Sequence, residues 1–301
     1  MSNPIYIVGS NPLAHYLGYH LQTNGHDVIL LLDRISSPTI PTAINVSIND
    51  ERTLSQQQCS LNVSLSMEKT AEMVIITSYA NRLNTSLAAL SIQKINNAPV
   101  ICFTPLKDIS YLYSIVSQNT YQAFFNGYIS SRKGALSLDG RKPEIVLCAS
   151  SNKKDSQHII NILNSAKLHV SNSENHLSSF WQYIIPYAIG SIWSASEDCK
   201  ISTLLSDKTN NQLLRTLIDE FCSLAANEQV KISPDAVMKN IYNIPANYIY
   251  PLHKSITSGG KTEFDLLTSI ITKTAVSQEI NIPQTYKLLN KLYNLVLSPT
   301  L

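Results

Sequence analysis

Near its start the chain carries four consecutive apolar residues, Ile5-Tyr6-Ile7-Val8, with a glycine directly after them. A short unbroken apolar run before a turn former is the pattern of a strand covered on both faces. Leu13 to Gln22 can then form a helix, which Gly25-His26 ends, and Val28 to Leu32 reads as a second apolar strand closing on Asp33-Arg34. The same rhythm returns with a strand over Met73-Val74-Ile75-Ile76-Thr77, a helix from Leu83 to Ile95 and a strand over Pro99-Val100-Ile101-Cys102-Phe103. Residues 121–150 read as β structure, with strands at Tyr121 to Ser130, Ala135 to Leu138 and Ile145 to Ala149. Turns are expected at Ser131-Arg132-Lys133-Gly134 and at Asp139-Gly140. Ser156 to Leu168 has helical spacing, with Ile159, Ile160 and Leu163 inward.

From Leu177 onward the pattern is helical and apolar, with helices predicted at Phe180 to Trp193, Asn211 to Ala226 and Pro234 to Asn243. Pro186 should kink the first of these or end its first turn. Thr262, with Asp265 three positions later, has the form of a capping box, and Phe264, Leu267, Ile270, Ile271 and Ala275 follow at helical spacing. Pro283 suits the first turn of a last helix, in which Tyr286, Leu289, Leu292 and Tyr293 share a face. The order of elements predicts an α/β chain: a Rossmann-like dinucleotide-binding domain over 1–172, then an all-helical domain over 173–301. The boundary is set in the polar run Ser171-Asn172-Ser173-Glu174-Asn175-His176.

Composition narrows the function classes. A chain of 301 residues has length for two domains. A net charge of +2, with 15% charged residues, gives no basic field for nucleic acid. Residues 1–8 reach a strand at once, and no long apolar stretch suggests a signal peptide or a membrane span. The five cysteines (Cys59, Cys102, Cys148, Cys199 and Cys222) form no Cys-x-x-Cys pair and suggest no metal set. Reduced thiols in a cytoplasmic protein are the expectation. The 44% hydrophobic content and the tyrosine-rich helices from 180 to 301 point to a homodimer through the helical domain.

The turn after the first strand is the candidate nucleotide site, since such turns aim backbone N–H groups and a helix N-terminus at a pyrophosphate. The Gly-x-Gly-x-x-Gly pattern reads here Gly9-Ser10-Asn11-Pro12-Leu13-Ala14. Gly9 can make the tight turn, and Ala14 is accepted at the third position. Asn11 puts a side chain where glycine lets the backbone approach phosphate, and Pro12 removes an N–H donor. Asp33 stands where a carboxylate would hold a ribose 2′-hydroxyl, whereas Arg34 would suit a 2′-phosphate. NAD and NADP therefore both stay open. Thr77 and Thr104 follow strand ends and are candidates by position.

The C-terminal stretch carries a more specific mark. Lys261-Thr262-Glu263-Phe264-Asp265, a helix, then Asn281-Ile282-Pro283-Gln284-Thr285 and a final helix resemble the C-terminal signature of ketopantoate reductases. The resemblance implies a two-domain frame on which a 2-oxo acid is reduced with NADPH, ketopantoate to pantoate in pantothenate biosynthesis. It further implies a lysine and, one turn later, an asparagine on the long helix, the lysine protonating the substrate oxygen. This chain has no lysine between Lys167 and Lys200. Aligned on Trp181-Gln182, Tyr183 and Tyr187 take those two places; aligned on Ser191-Ile192-Trp193, Ser179 and Tyr183 do. The family's Asn-Gly-x-Gly loop is Thr104-Pro105-Leu106-Lys107 here, and its carboxylate-binding serine is replaced by Pro251 or Leu252.

Two readings follow. In the first, the chain is a divergent NAD(P)H-dependent 2-oxo-acid reductase with a substitute acid, Tyr183 or Lys254, oriented by Glu263. In the second, it keeps the fold without the reaction, as a ligand-binding or interaction protein.

Overall fold

The computed structural model describes residues 3–32, 41–50, 55–79, 82–117, 119–132, 135–148, 153–258 and 263–297. It divides into two compact units, Met1–His176 and Leu177–Leu301.

The first unit is built on strand β1 (Ile5–Val8), every residue of which is buried. Its side chains alternate between faces: Ile5 and Ile7 enter one apolar cluster, Tyr6 and Val8 another. β1 pairs in parallel with β2 (Val28–Leu31) on one side and β5 (Met73–Ile76) on the other. β6 (Val100–Cys102), β7 (Thr120–Arg132), β8 (Ala135–Cys148) and β9 (His169–Ser173) extend the sheet beyond β5. Helix α1 (Pro12–Thr23) and helix α5 (Lys153–Ser165) contribute Leu17, Leu21, Ile159 and Leu163 to the first cluster. The short helices α2 (Leu83–Leu87), α3 (Ile92–Ile95) and α4 (Ser110–Ile115) supply Leu83, Leu87, Ile95 and Leu112 to the second.

The sheet departs from the expected pattern in four places. β3 (Ala43–Asp50) and β4 (Ser55–Ser64) pair antiparallel, and β4 runs parallel to β2. Their inward residues, Ile44, Val46, Ile48, Cys59, Leu61 and Val63, alternate with period two, but the polar run Gln56-Gln57-Gln58 obscures it in the sequence. Asp139-Gly140 makes no turn: β8 runs through it, Asp139 pairs with Tyr128, and an irregularity between Asn126 and Tyr128 absorbs the mismatch. The start of β8 also pairs with β3, so the sheet curls back on itself. The helix expected over Leu83 to Ile95 is two short ones, and Asn96 and Asn97 beyond it take left-handed backbone. Strand β9 occupies part of the polar run in which the domain boundary was set, so the boundary expected between 172 and 173 compares with a unit edge between 176 and 177.

The second unit is helical. Helix α6 (His176–Ser196) is buried without a break from Ala188 to Ser196, the behaviour of a central helix. It continues through Pro186; Gln182, whose carbonyl loses its helical partner there, is exposed, where water can replace the bond. Around it lie α7 (Ile201–Ser206), α8 (Asn210–Asn227), α9 (Pro234–Tyr242), α10 (Pro251–Thr257), α11 (Phe264–Ser277) and α12 (Pro283–Leu297). Glu263 is the N-cap residue of α11. Thr262, expected to cap it, lies outside the described residues. Among the described residues no helix is long and apolar enough to cross a membrane.

The start of α12 shows how this unit settles its helix ends. Ile282, buried and apolar, cannot cap, and Pro283 has no N–H. Buried Glu220, on α8, supplies the missing acceptor. Its Oε1 accepts from Gln284 N at 2.9 Å, and its Oε2 from Thr285 N at 2.8 Å and Thr285 Oγ1 at 2.6 Å. Removing it leaves buried donors unpaired beside a helix N-terminus. Glu220→Ala is expected to destabilise the chain by about 3 kcal/mol and Glu220→Gln by about 1 kcal/mol, measured by urea denaturation.

Candidate functional site

Candidate groups occur in each unit. In the first, the turn from β1 to α1 keeps the geometry of a nucleotide loop. Gly9 has φ +123°, a conformation suited to glycine, and an added Cβ would stand 2.7 Å from Thr77 Oγ1. Asn11 is the N-cap of α1: its Oδ1 accepts from Ala14 N at 2.9 Å, and its Nδ2 donates to the Thr77 carbonyl. The side chain expected to obstruct a phosphate is thus tied down on both ends. The same bond occupies one helix N-terminal donor, and Pro12, at the first helical position, lacks another. Ser10 is exposed. Asp33 and Arg34 lie outside the described residues.

Thr77 and Thr104 are buried, and their hydroxyls face the protein. Thr77 Oγ1 donates to Val8 O at 3.0 Å, Thr104 Oγ1 to Ser78 O at 2.5 Å. Gln122, a polar residue in the apolar run of β7, donates from Nε2 to Cys102 O at 2.7 Å and Thr104 O at 2.9 Å. These bonds tie together the carboxyl ends of β1, β5 and β6 and join them to the start of β7, at the edge where open α/β sheets take ligands. Gln122 was not among the expected residues; an amide inside a strand of buried apolar residues was the available signal.

In the second unit, Glu263 meets α6. The Tyr187 hydroxyl donates to Glu263 Oε1. Tyr183 stacks on Tyr187 one turn away, with ring centroids 5.8 Å apart and planes 13° apart. Tyr250 meets Tyr187 edge-on at 5.6 Å, and Tyr248 meets Tyr250 at 5.1 Å. Tyr250 is buried against α6 where Gly190 leaves room: a Cβ there would stand 2.1 Å from the phenol oxygen. Tyr248 and Tyr250 were missed from the sequence, although Tyr248-Ile249-Tyr250 immediately precedes the Pro251 segment.

Of the two alignments, the one using Tyr183 and Tyr187 supplies the pair joined to Glu263; Ser179 is buried in α6. Pro251 begins α10 and Leu252 is fully buried, so neither offers a hydroxyl. Lys254 is exposed on α10, and no described bond joins its ammonium to the tyrosine cluster. Burial pushes the Glu263 carboxyl up to about 7, against a smaller downward pull from the Tyr187 hydroxyl. The Tyr187 phenol is held well above its ordinary range by burial first, then by the Glu263 charge. Among the described residues no ion pair reaches Glu263. The arrangement can hold a proton on a carboxyl near neutral pH and present a phenol beside it. Among the described residues, no group of three or more His, Cys, Asp or Glu could hold a metal.

These features define a class: a Rossmann-type sheet unit followed by a helical unit with a buried glutamate at its signature. Residues 175–296 match the family described as ketopantoate reductase PanE/ApbA C terminal. The helical unit thus carries the C-terminal part of the ketopantoate reductase family. The 2-dehydropantoate 2-reductase of Streptococcus pyogenes serotype M1 is 22% identical over 154 residues, 50% of this chain and 48% of that protein. The match thus spans about half the length of the curated relatives. The fold is shared with D-mandelate dehydrogenase, solved with NADH and anilino(oxo)acetate, at a TM-score of 0.82, 17% identity and coverage of 98% and 99% of the two chains. It is shared as well with a PanE/ApbA family ketopantoate reductase from Ralstonia eutropha JMP134, at a TM-score of 0.81, 18% identity and coverage of 98% and 99%.

The raised Glu263 carboxyl has a consequence for stability. Its folded value, about 7, lies above the ordinary 4.5, so between these values the folded chain binds more protons than the unfolded one. Stability from this group is full below about 4.5 and is lost as pH rises toward 7. Glu263→Gln should raise the melting temperature relative to the native chain above pH 7, and the gap should shrink as the pH falls to 4.5, measured by calorimetry across that window.

Proposed function

We propose that this chain is an NAD(P)H-dependent reductase of a 2-oxo acid, with ketopantoate as the substrate and pantoate as the product. The observation that carries the reading is the contact between Tyr187 of α6 and Glu263. It joins the C-terminal signature to the helix on which the family keeps its acid. The family match over residues 175–296 supports the reaction class, and the two NADH-containing D-mandelate dehydrogenase structures support a nicotinamide cofactor on this fold.

The β1–α1 turn keeps the backbone frame of a dinucleotide loop, short of two donors, at Pro12 and Ala14. Gly9 has the required backbone, Ala14 packs the helix closely, and the helix N-terminus lies at the carboxyl end of β1. Bound there, the cofactor would supply hydride to the substrate carbonyl carbon. Gly9, Ser10 and Asn11 would hold its phosphates, while Asp33 and Arg34 are the residues proposed to set NAD against NADP. Thr77 and Thr104 act by fixing the strand ends beneath it. In the helical unit, Tyr183 and Glu263 provide the donor that the oxygen needs as charge develops on it. Lys254 is the alternative acid. A homodimer through the helical unit accords with the exposed Val276, Tyr293, Leu295 and Val296.

The test is turnover: purified protein with ketopantoate and NADPH or NADH should oxidise the nicotinamide, followed at its near-ultraviolet absorbance. Lys254→Ala should cost about a hundredfold if the ammonium is the acid, with Tyr183→Phe near neutral. The reverse ranking assigns the donor to the tyrosine side. Absence of turnover with either nicotinamide favours the second reading, a non-catalytic binding protein, which the loss of two phosphate donors, at Pro12 and Ala14, supports.

Cofactor binding has its own check. Either reduced nicotinamide at millimolar concentration should raise the melting temperature, and Asn11→Gly should enlarge that shift by freeing Ala14 N and clearing the backbone. An unchanged melting temperature in both proteins would count against the nucleotide site.

A further inference from the structure

We propose that Glu263 itself hands the proton to the substrate's carbonyl oxygen, with Tyr187 as its positioning residue, in place of the helix lysine this chain lacks. The inference rests on the reductase reading and assigns its proton source.

The geometry comes first. Tyr187 takes only Oε1 of Glu263, and no described bond occupies Oε2. Tyr187 is fixed on two sides, by the Tyr183 stack and by the edge of Tyr250, and Tyr250 is locked into the space left by Gly190. Among the described residues one carboxyl oxygen is therefore anchored and the other takes no bond, the arrangement that aims a carboxyl O–H. The titratable groups around the pair are Tyr183 and Tyr187 from α6 and Tyr248 from the segment before α10, all phenols. Lys254, the cation nearest in sequence among the described residues, is exposed and makes no described bond to the pair. Where burial dominates and no described cation pairs with it, a carboxyl keeps its proton more easily than it sheds it.

The balance of the step follows. Hydride from the reduced nicotinamide forms the new C–H bond at the carbonyl carbon. The carbonyl π electrons move to oxygen, and the Glu263 O–H breaks as its proton joins that oxygen. The products are the 2-hydroxy acid, the oxidised nicotinamide and the Glu263 carboxylate, which Tyr187 stabilises until solvent restores the proton.

Two measurements on the full chain test this. The first follows the Glu263 carboxyl by carbon NMR against pH in the native chain, Tyr187→Phe and Glu263→Gln. A signal titrating near 7 is expected in the native chain. It should vanish in Glu263→Gln and move upward in Tyr187→Phe, because the phenol donates to the charged form. The second is the pH dependence of kcat with ketopantoate and reduced nicotinamide. Turnover should fall above the same midpoint, and in Tyr187→Phe the break should move upward with it. There kcat should drop about tenfold while KM stays within about twofold. Tyr187→Phe keeps the ring and its stacking, so folding does not decide the result. A carboxyl titrating near 4.5 in the native chain overturns the proposal. So does turnover whose pH limb ignores Tyr187→Phe, and there the reductase reading survives alone. No turnover in the native chain, with the titration as expected, overturns the reductase reading and the acid role together.

Discussion

A polar group taken out of water needs a partner, and the helical unit meets that requirement with glutamates. Glu220 closes the N-terminus of α12, whose own cap position is an isoleucine. Glu228 accepts from Trp181 Nε1 at 2.9 Å and from Gln278 Nε2 at 3.1 Å, fastening α6 to the end of α11. Glu263 accepts from Tyr187. Each carboxylate joins segments far apart in sequence, so helices whose apolar faces could slide acquire a fixed register. The third has one donor among the described residues, and burial pushes its carboxyl up to about 7.

The sheet unit obeys the same requirement differently. Its central strands β1, β2, β5 and β6 are apolar and pair with a strand on each side, and polar side chains gather at their carboxyl ends. There Thr77, Ser78, Thr104 and Gln122 bond to the backbone of adjacent strands. The same edge is where a nucleotide would be received, so rigidity and binding draw on the same few residues. Asn11 illustrates the compromise: it caps α1 and ties the turn to the end of β5, at the expense of donors that the glycine pattern would leave for phosphate.

On the proposed reductase reading, tyrosines on α6 in place of the expected lysine would change the kind of acid on offer. An ammonium brings charge, which stabilises a developing oxyanion from a distance. A phenol and a carboxyl bring directed O–H bonds, which act only at contact and depend on being held still. The stacked and edge-on tyrosines around Tyr187, with Gly190 admitting Tyr250, supply that rigidity.

Much of this was legible in the sequence for local reasons. The apolar runs of β1, β2, β5 and β6 determine strands whatever surrounds them, and Pro283 after Ile282 determines where α12 begins. Glu263 was legible because its neighbours in the chain carry the signature. Other features depended on distant residues. The β3–β4 pair is mostly polar in sequence and becomes sheet because β2 and β8 offer it edges. Asp139-Gly140 has turn chemistry, yet the long pairing with β7 overrides it. Choosing Tyr187 over the alternative alignment, and finding Tyr250 behind it, required the crossing of α6 by a segment some sixty residues later. Local propensity is written residue by residue, so the sequence alone determined the elements and their order. Which polar side chains would be buried together, and so which carboxyl would keep its proton, is a property of packing, and only the tertiary structure decided it.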